Sequence, residues 1–373
     1  MPIGIAPYSE NHIAAVKDFN RRLKAGGAPP DYVFSESPIP TWLPATPDAP
    51  VYNEYYLALE NGIVRGTYVL KHQKFSFRGE IRPIVYIHHP FSEGIVDKKY
   101  AHVGVQMLMH IVRSHHLVYA LGMGGYDRPL PRMLMALNWS HRPVPFYFRV
   151  CHPARFLRNM LALRQSNFKR LVADFAAFSG AGWIGLQAVQ GITGFSGLRR
   201  RADAVTVEEF DDWADEIWNN CVADFAMIAV RDAPALRALY PPLNTNFNRL
   251  KISARGRPLG WAVIADTQNR KHPQYGDLKV GTILDGLCRP EHTTTVVAGA
   301  TRALMDCNVD VITSNQSHRA WVRALKDCGF LKGPSNFIFA ASKPLSQMLD
   351  PFDQTFSLVH LNRGDGDSLL KYL

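Results

Sequence analysis

Two adjacent histidines, His88 and His89, are the residues whose type and position most directly suggest acid–base chemistry. They end a run of strand-forming residues, IRPIVYIHH at 81–89, and Pro90 follows them. Because side chains alternate along a strand, we expect one imidazole on each face of a sheet. Either ring can accept a proton near neutral pH, although both also fit ordinary polar residues at a strand end. Glu93, in the following loop, is either a second candidate base or a solvated charge.

The strands that position these side chains belong to a block that occurs twice. LALENGIVRGTYVL at 57–70 alternates apolar and polar residues around Gly62, and LKISARGRPLGWAVI at 250–264 repeats this pattern in the second half. In each copy a second glycine, Gly66 or Gly260, follows four positions after the first. The first glycine fits a turn with positive φ, and the second lets another backbone approach a strand. Both stretches therefore predict a β-hairpin.

A second repeated block lies downstream of each hairpin. Residues 118–139 predict a strand followed by a helix with one apolar face, and residues 311–330 predict the same pair. A further strand candidate closes each block, at 144–150 and 335–341. Two long blocks recur in the same order, so the chain is interpreted as a diverged tandem repeat of one α/β unit.

The remaining elements give each half the same order. In the first half, Ser9 can cap a helix over residues 10–24, and a second helix is predicted over 101–114. The order is strand, helix, three antiparallel strand segments, helix, strand, helix, strand. We therefore predict a first domain at 1–179 and a second at 204–373. The strand candidate FSLVHL near the C-terminus fits either domain.

Composition describes an ordinary globular protein with a basic surplus. The 373 residues carry a net charge of +10, and 47% of them are hydrophobic. This charge suits a polyanionic partner, such as nucleic acid, an acidic membrane surface or a phosphorylated cofactor. The five cysteines are scattered and form no CxxC pair, which argues against zinc, and we expect no metal site. With no secretory signal in MPIGIAPYSENH, we expect a cytoplasmic location.

The sequence between the halves has a different character. A basic helix is predicted from Pro153, and residues 175–198 then carry no charge. That length could span a membrane, but the many glycines make a span unfavourable. We interpret 180–203 as a glycine-rich connector between domains and expect no transmembrane span. The alternative is peripheral contact with a membrane surface or a lipid-like chain.

The element order resembles the GNAT (Gcn5-related N-acetyltransferase) fold, and its repetition resembles tandem-GNAT and FemAB-like acyltransferases. The resemblance is carried by the hairpin glycines, the strand–loop–helix at 84–114, and the helix ends Asn138-Trp139 and Cys328-Gly329-Phe330. The closing HLNRGDGD at 360–367 is similar to the end of large bacterial two-domain acyltransferases. The resemblance implies an α/β (α+β) fold of two GNAT-like domains, with mixed, mainly antiparallel sheets flanked by helices.

The family implies an acyl-CoA as co-substrate, held through its pyrophosphate at a helix start. The matching place in the first half is 101–106, where one glycine of the usual motif survives and positive charge lies nearby. The cofactor-binding candidates are Lys98, Lys99, His102, Val103, Gly104 and Val105. The matching stretch of the second half, 289–295, has no glycine and looks degenerate or remodelled.

The tyrosine that many family members use as general acid falls at Leu134 and Leu325, so neither half keeps it. Tyr126 can replace it, and the neighbouring Asp127 is either a further catalytic group or a helix N-cap. The catalytic candidates of the first half are His88, His89, Tyr126 and Asp127. In the second half the analogous residues are Asp285 and His318, and His318 also fits a helix start.

These expectations describe an enzyme that moves an acyl group, by analogy acetyl, from coenzyme A to a primary amine. The acceptor is a small molecule, an amino sugar or a peptide. Two alternatives stay open: a FemAB-like enzyme that takes an aminoacyl group from tRNA, and a binding module without catalysis. Nucleic acid is a partner only under the first alternative.

Overall fold

The computed structural model of the chain describes residues 3–37, 47–153, 155–156, 197–198, 202–272 and 275–366. The chain forms two compact units: Met1–Pro143 with Asn336–Thr355, and Val144–Ser335 with Phe356–Leu373. Each unit contains a mixed, mainly antiparallel sheet flanked by helices, which is the fold class predicted from the sequence. Among the described residues, no helix has the length and apolar character needed to cross a membrane.

Within its described residues, the first unit contains seven sheet strands and five α-helices. Its strands are β1 (Gly4–Pro7), β2 (Val51–Glu60), β3 (Ile63–Phe77), β4 (Glu80–Ser92), β5 (Val118–Gly122), β6 (Ser140–Pro143) and β15 (Ile338–Ala341). Its helices are α1 (Ile13–Ala25), α2 (Ala101–Ser114), α3 (Pro129–Ala136), α8 (Lys343–Met348) and α9 (Phe352–Thr355).

The second unit has the remaining elements among the described residues. Its strands are β7 (Phe146–Val150), β8 (Asp203–Val207), β9 (Met227–Ala229), β10 (Asn248–Ala254), β11 (Arg257–Gln268), β12 (Lys279–Cys288), β13 (Val311–Asn315), β14 (Leu331–Gly333) and β16 (Val359–His360). Its helices are α4 (Asp212–Cys221), α5 (Ala233–Leu239), α6 (Thr293–Asp306) and α7 (Arg319–Asp327).

The two sheets share one strand order. The first is β1-β2-β3-β4-β5-β15-β6, and the second, read from its opposite end, is β8-β10-β11-β12-β13-β7-β14. Each contains one parallel pair, β4 with β5 or β12 with β13, and all other neighbours along these two paths are antiparallel. In the first unit α2 and α3 cover one sheet face and α1 covers part of the other. In the second unit α6 and α7 cover the main core.

Both predicted hairpins form around a two-residue turn. Asn61 and Gly62 have φ values of 50° and 79°, and Arg255 and Gly256 have 52° and 77°, so both turns use the left-handed region that glycine favours. The second glycine of each copy is also required, since a Cβ at Gly260 would lie 2.5 Å from the Leu287 carbonyl oxygen.

At the equivalent Gly66 the neighbour differs from our expectation. A Cβ there would meet the Met107 sulfur at 2.7 Å and Val103 Cγ1 at 3.0 Å. The glycine therefore makes room for side chains of α2 rather than for another backbone.

The strands that close the two repeated blocks are exchanged between the units, which corrects their predicted placement. The strand found at Phe146–Val150 pairs with β13, and Ile338–Ala341 pairs with β5 and β6. Apolar alternation identifies each segment as a strand, but β5 and β13 offer equivalent edges, so the local pattern does not choose between them. Ser342 adds a link to the first unit, because its hydroxyl accepts a hydrogen bond from Val118 N at 3.2 Å.

The C-terminal strand candidate belongs to the second unit, where β16 pairs in parallel with β9. The predicted basic helix after Pro153 and the connector at 180–203 lie almost wholly outside the described residues. The domain limits at 179 and 204 therefore stay predictions.

Candidate active site

The first unit has an opening between its two parallel strands. β4 and β5 pair from Val85 with Val118 to Ile87 with Ala120, and no further parallel rung joins them. Just beyond this point β4 bulges, because Thr67 pairs with Phe91 while Val69 pairs with His88. A bulge leaves ladder groups unpaired and redirects side chains. We call this place the first opening.

His88 lies at the edge of the first opening and is only 7% exposed. Its ring stacks on Tyr86 with centroids 5.2 Å apart, and neither ring nitrogen has a hydrogen-bond partner within the part of the chain that the structure describes. Burial, followed by the nearby charges of His89 and Lys71, holds the pKa of His88 well below its ordinary value of 6.5. The ring is therefore neutral at pH 7 and has a nitrogen lone pair available to accept a proton.

His89 does not point away from His88 as strand alternation predicts. The two ring centroids are 5.0 Å apart, and His89 has a φ of 49° and stacks on Phe91 at 5.5 Å. The bulge interrupts the alternation and brings both histidines to the same region.

Glu93 is a buried structural carboxylate, which corrects its interpretation as a solvated loop charge. It is 5% exposed and accepts hydrogen bonds from Arg22 Nε and Arg65 Nη1, each at 2.8 Å. Arg65 in turn lies 4.1 Å over the Tyr100 ring, immediately before α2. Glu93 therefore links α1 and β3 to the start of α2, and both arginines neutralise it.

The first turn of α2 has features that suit a phosphate group. It contains no acidic residue, and the helix dipole favours negative charge there, while the Ala101 N–H already donates to the Lys98 carbonyl oxygen of the preceding 3-10 turn. Lys98 is exposed at this end, whereas Lys99 is paired with Asp97 at 3.1 Å. The Nδ1 of His102 lies 3.1 Å from the Lys99 carbonyl oxygen. Lys98 thus supplies an exposed positive charge at the helix start.

Three further cofactor candidates lie in the same helix. A Cβ at Gly104 would have only Ser92 Cβ as a near neighbour, at 3.9 Å, so packing does not require glycine there. Val105 is 44% exposed, while Val103 is fully buried in the core. Val103 can therefore offer a ligand only its backbone.

Tyr126 has a partner that the sequence did not reveal. Its hydroxyl lies 3.3 Å from His141 Nδ1, and the two rings meet edge to face at 5.3 Å. Tyr126 is 39% exposed, and burial raises its pKa above the ordinary value of 10.0 although Arg142 opposes this. No spacing signal connects residues 126 and 141, because β6 reaches Tyr126 only through the tertiary fold.

Asp127 is not the N-cap of the following helix. Arg128 occupies that position and makes no side-chain capping bond, since α3 begins at Pro129. Proline at the first helical position lacks an N–H that would need capping. Asp127 thus lies in the loop between β5 and α3, and its catalytic role stays a prediction.

The two catalytic candidates of the second unit, Asp285 and His318, both form structural hydrogen bonds. Asp285 is fully buried and accepts hydrogen bonds from Arg231 Nε at 2.8 Å and Tyr240 Oη at 2.7 Å. His318 caps α7, accepting from Ala320 N at 3.3 Å, which confirms its interpretation as a helix-start residue. Burial lowers the pKa of His318 to about 3. Both side chains are thus engaged in structural hydrogen bonds. Across the described ranges, no group of three or more His, Cys, Asp or Glu side chains could hold a metal ion.

No protein-family model and no curated protein sequence matches the chain. Among solved structures, it is similar to Saccharomyces cerevisiae N-myristoyltransferase with bound myristoyl-CoA, at 13% identity, with a TM-score of 0.53 over 92% of this chain and 85% of that one. It is also similar to a probable N-acyltransferase from Enterococcus faecalis, at 10% identity, with a TM-score of 0.51 over 94% and 74%.

These similarities support the tandem GNAT-like fold predicted from the sequence. At such low identity they concern the fold alone. A specifically FemAB-like relationship is not confirmed.

Proposed function

We propose that the protein is an N-acyltransferase that moves an acyl group from coenzyme A to a primary amine, with the thioester held in the first opening. The observation that carries the proposal is His88, a buried and neutral histidine with both ring nitrogens unsatisfied at the point where β4 and β5 separate. Leaving a buried polar atom without a partner costs about 1–3 kcal/mol, so a site that does so is suited to receive a ligand.

The cofactor end of the proposal rests on α2. The positive end of its helix dipole and the exposed Lys98 favour the pyrophosphate of an acyl-CoA. The pantetheine arm would then extend from the start of α2 along β4, which places the thioester at the bulge at His89. The acyl group is acetyl or longer, and the acceptor amine belongs to a small molecule, an amino sugar or a peptide.

The residues present can complete the reaction. The amine nitrogen attacks the thioester carbonyl carbon, and His88 accepts the proton that this nitrogen must lose. The C–N bond forms while the C–S bond breaks, which releases the thiolate of coenzyme A. Tyr126 donates its proton to that thiolate, and its bond to His141 offers a route for reprotonation from solvent. One C–S bond is replaced by one C–N bond, and one proton in total is lost by nitrogen and gained by sulfur. The atoms and charges of the step therefore balance.

Calorimetry with acetyl-CoA and myristoyl-CoA tests the cofactor site. We expect binding by the wild type and its loss in Gly104→Glu, because a carboxylate at the first turns of α2 repels the pyrophosphate. The matched control is Ser114→Glu, which adds the same charge at the exposed last residue of the same helix and should retain the affinity. Equal affinity in both variants would place the cofactor elsewhere.

A further inference from the structure

The second unit has an opening at the same place as the first. β12 and β13 pair in parallel from Val280 with Val311 to Ile283 with Ser314, and no parallel rung follows. β12 bulges there too, since its register with β11 shifts between Val263 and Ile264. We call this place the second opening.

A segment of the protein itself, residues 359–362, bonds to both sides of the second opening. On the β12 side, the His360 Nε2–H donates to the Gly286 carbonyl oxygen at 2.9 Å, and Asn362 Nδ2 donates to Asp285 Oδ1 at 2.7 Å. On the β13 side, Ser317 N donates to the Leu361 carbonyl oxygen at 3.1 Å. The segment therefore lies where an extended ligand would join the two separated strands.

The segment also continues the sheet-like bonding of β13. Leu361 N donates to Ser317 Oγ at 2.8 Å, and Gln316 forms an antiparallel bridge with Asn362. All four residues of the segment are at most 1% exposed. This occupant is thus integrated into the core and is not a surface tail.

A buried charge cluster holds the segment in place. Arg231 donates to Asp285 at 2.8 Å and to Asp365 at 2.6 Å, and these three side chains are at most 1% exposed. Asn362 N also donates to Asp365 Oδ2 at 2.9 Å. Breaking such a pair leaves an uncompensated buried charge, so the cluster opposes release of the segment.

The turn after the segment has no space for a larger residue. A Cβ at Gly364 would lie 2.3 Å from Tyr240 Oη and 2.7 Å from Asp285 Oδ2. A glycine is therefore required for the turn to approach the cluster.

We infer that residues 359–362 permanently occupy the second opening. The second unit therefore binds no acyl-CoA there, and each chain binds one acyl-CoA, in the first unit. The stoichiometry rests on the proposed function, whereas the occupancy of the second opening stands on the hydrogen bonds alone. The two openings differ in one physical respect: residues 359–362 donate to β12 and accept from Ser317 across the second opening, whereas both ring nitrogens of His88 lack a described partner at the first.

Hydrogen–deuterium exchange of the full-length wild type tests the occupancy without any ligand. The amides of Ser317 and Leu361 should exchange as slowly as those of the central strands. Exchange at the rate of an exposed loop would overturn the inference. In Gly364→Ala these amides should exchange at least about tenfold faster, because the turn is displaced. The control is Gly299→Ala in α6, where the added Cβ would make only ordinary contacts of 3.4–3.5 Å with Ile252, and exchange at residues 317 and 361 should not change.

Native mass spectrometry with acetyl-CoA tests the stoichiometry. One bound molecule is expected in the wild type, none in Gly104→Glu, and one in His292→Glu, which places the same charge at the start of α6. A second bound molecule that His292→Glu removes would overturn the inference and leave the proposed function intact. Complete absence of binding would instead overturn the proposed function, and slow exchange at Ser317 and Leu361 would still support the occupied second opening.

Discussion

Replacing Glu93 by glutamine should destabilise the first unit measurably. The change keeps the side chain's size but removes the charge that two arginines share, Arg22 and Arg65. A fully buried pair that loses one partner costs about 3–5 kcal/mol. Here the side chain of Arg22 is 32% exposed and Arg65 has Glu60 as a second partner, so the cost is reduced. Hydrogen bonds to charged groups contribute about 1.5–3 kcal/mol, and we expect a loss of about 2–3 kcal/mol.

The assay is urea unfolding of Glu93→Gln beside Asp18→Asn, which makes the same carboxylate-to-amide change in an exposed pair. Arg21 and Asp18 have side chains that are 77% and 58% exposed, so that variant should lose less than about 1 kcal/mol. Equal, small losses in both variants would refute the structural role of Glu93. Since Gly94 packs directly against the start of α2, Glu93→Gln should also weaken acyl-CoA binding.

Three further outcomes follow from the structure. With acyl-CoA and an accepted amine, His88→Ala and Tyr126→Phe should each lower kcat by about 10²-fold or more, while the Kd for the cofactor stays within about twofold. His141→Ala should change the pH profile of kcat. Full turnover in all three variants would exclude this site. The pKa of His318 is about 3 in the folded protein and 6.5 ordinarily, so the unfolded chain binds more protons between these values and stability rises with pH there. His318→Asn keeps the cap and should remove up to about 1.4 kcal/mol per pH unit of that slope in unfolding titrations. An unchanged slope would contradict the lowered pKa. Gly62→Ala should cost about 1–2 kcal/mol in urea unfolding because of its φ of 79°, and a neutral result would contradict the turn geometry.

The elements that could be predicted are those with local signals. The hairpin turn at Gly62 follows from the conformational freedom of glycine, and α2 follows from its apolar face. The extent of α2, Ala101–Ser114, agrees with the predicted 101–114. His318 was interpretable as a helix start because a single strand–helix junction determines its role.

The features that could not be predicted depend on distant parts of the chain. The edge that Ile338–Ala341 joins is decided by competition between two equivalent strands. The bulge at β4 changes the direction of His89, and a residue pattern with period two contains no sign of it. Glu93 and His141 acquire their partners only through tertiary packing, from residues such as Arg22 and Tyr126.

A crystal structure of the protein with a non-hydrolysable acyl-CoA analogue tests the central claim most directly. We expect one analogue per chain, with its pyrophosphate at the first turn of α2 and its thioester position beside His88. The second opening should still hold residues 359–362. An analogue bound at the start of α6, or one that displaces those residues, would contradict the assignment of the cofactor site to the first unit.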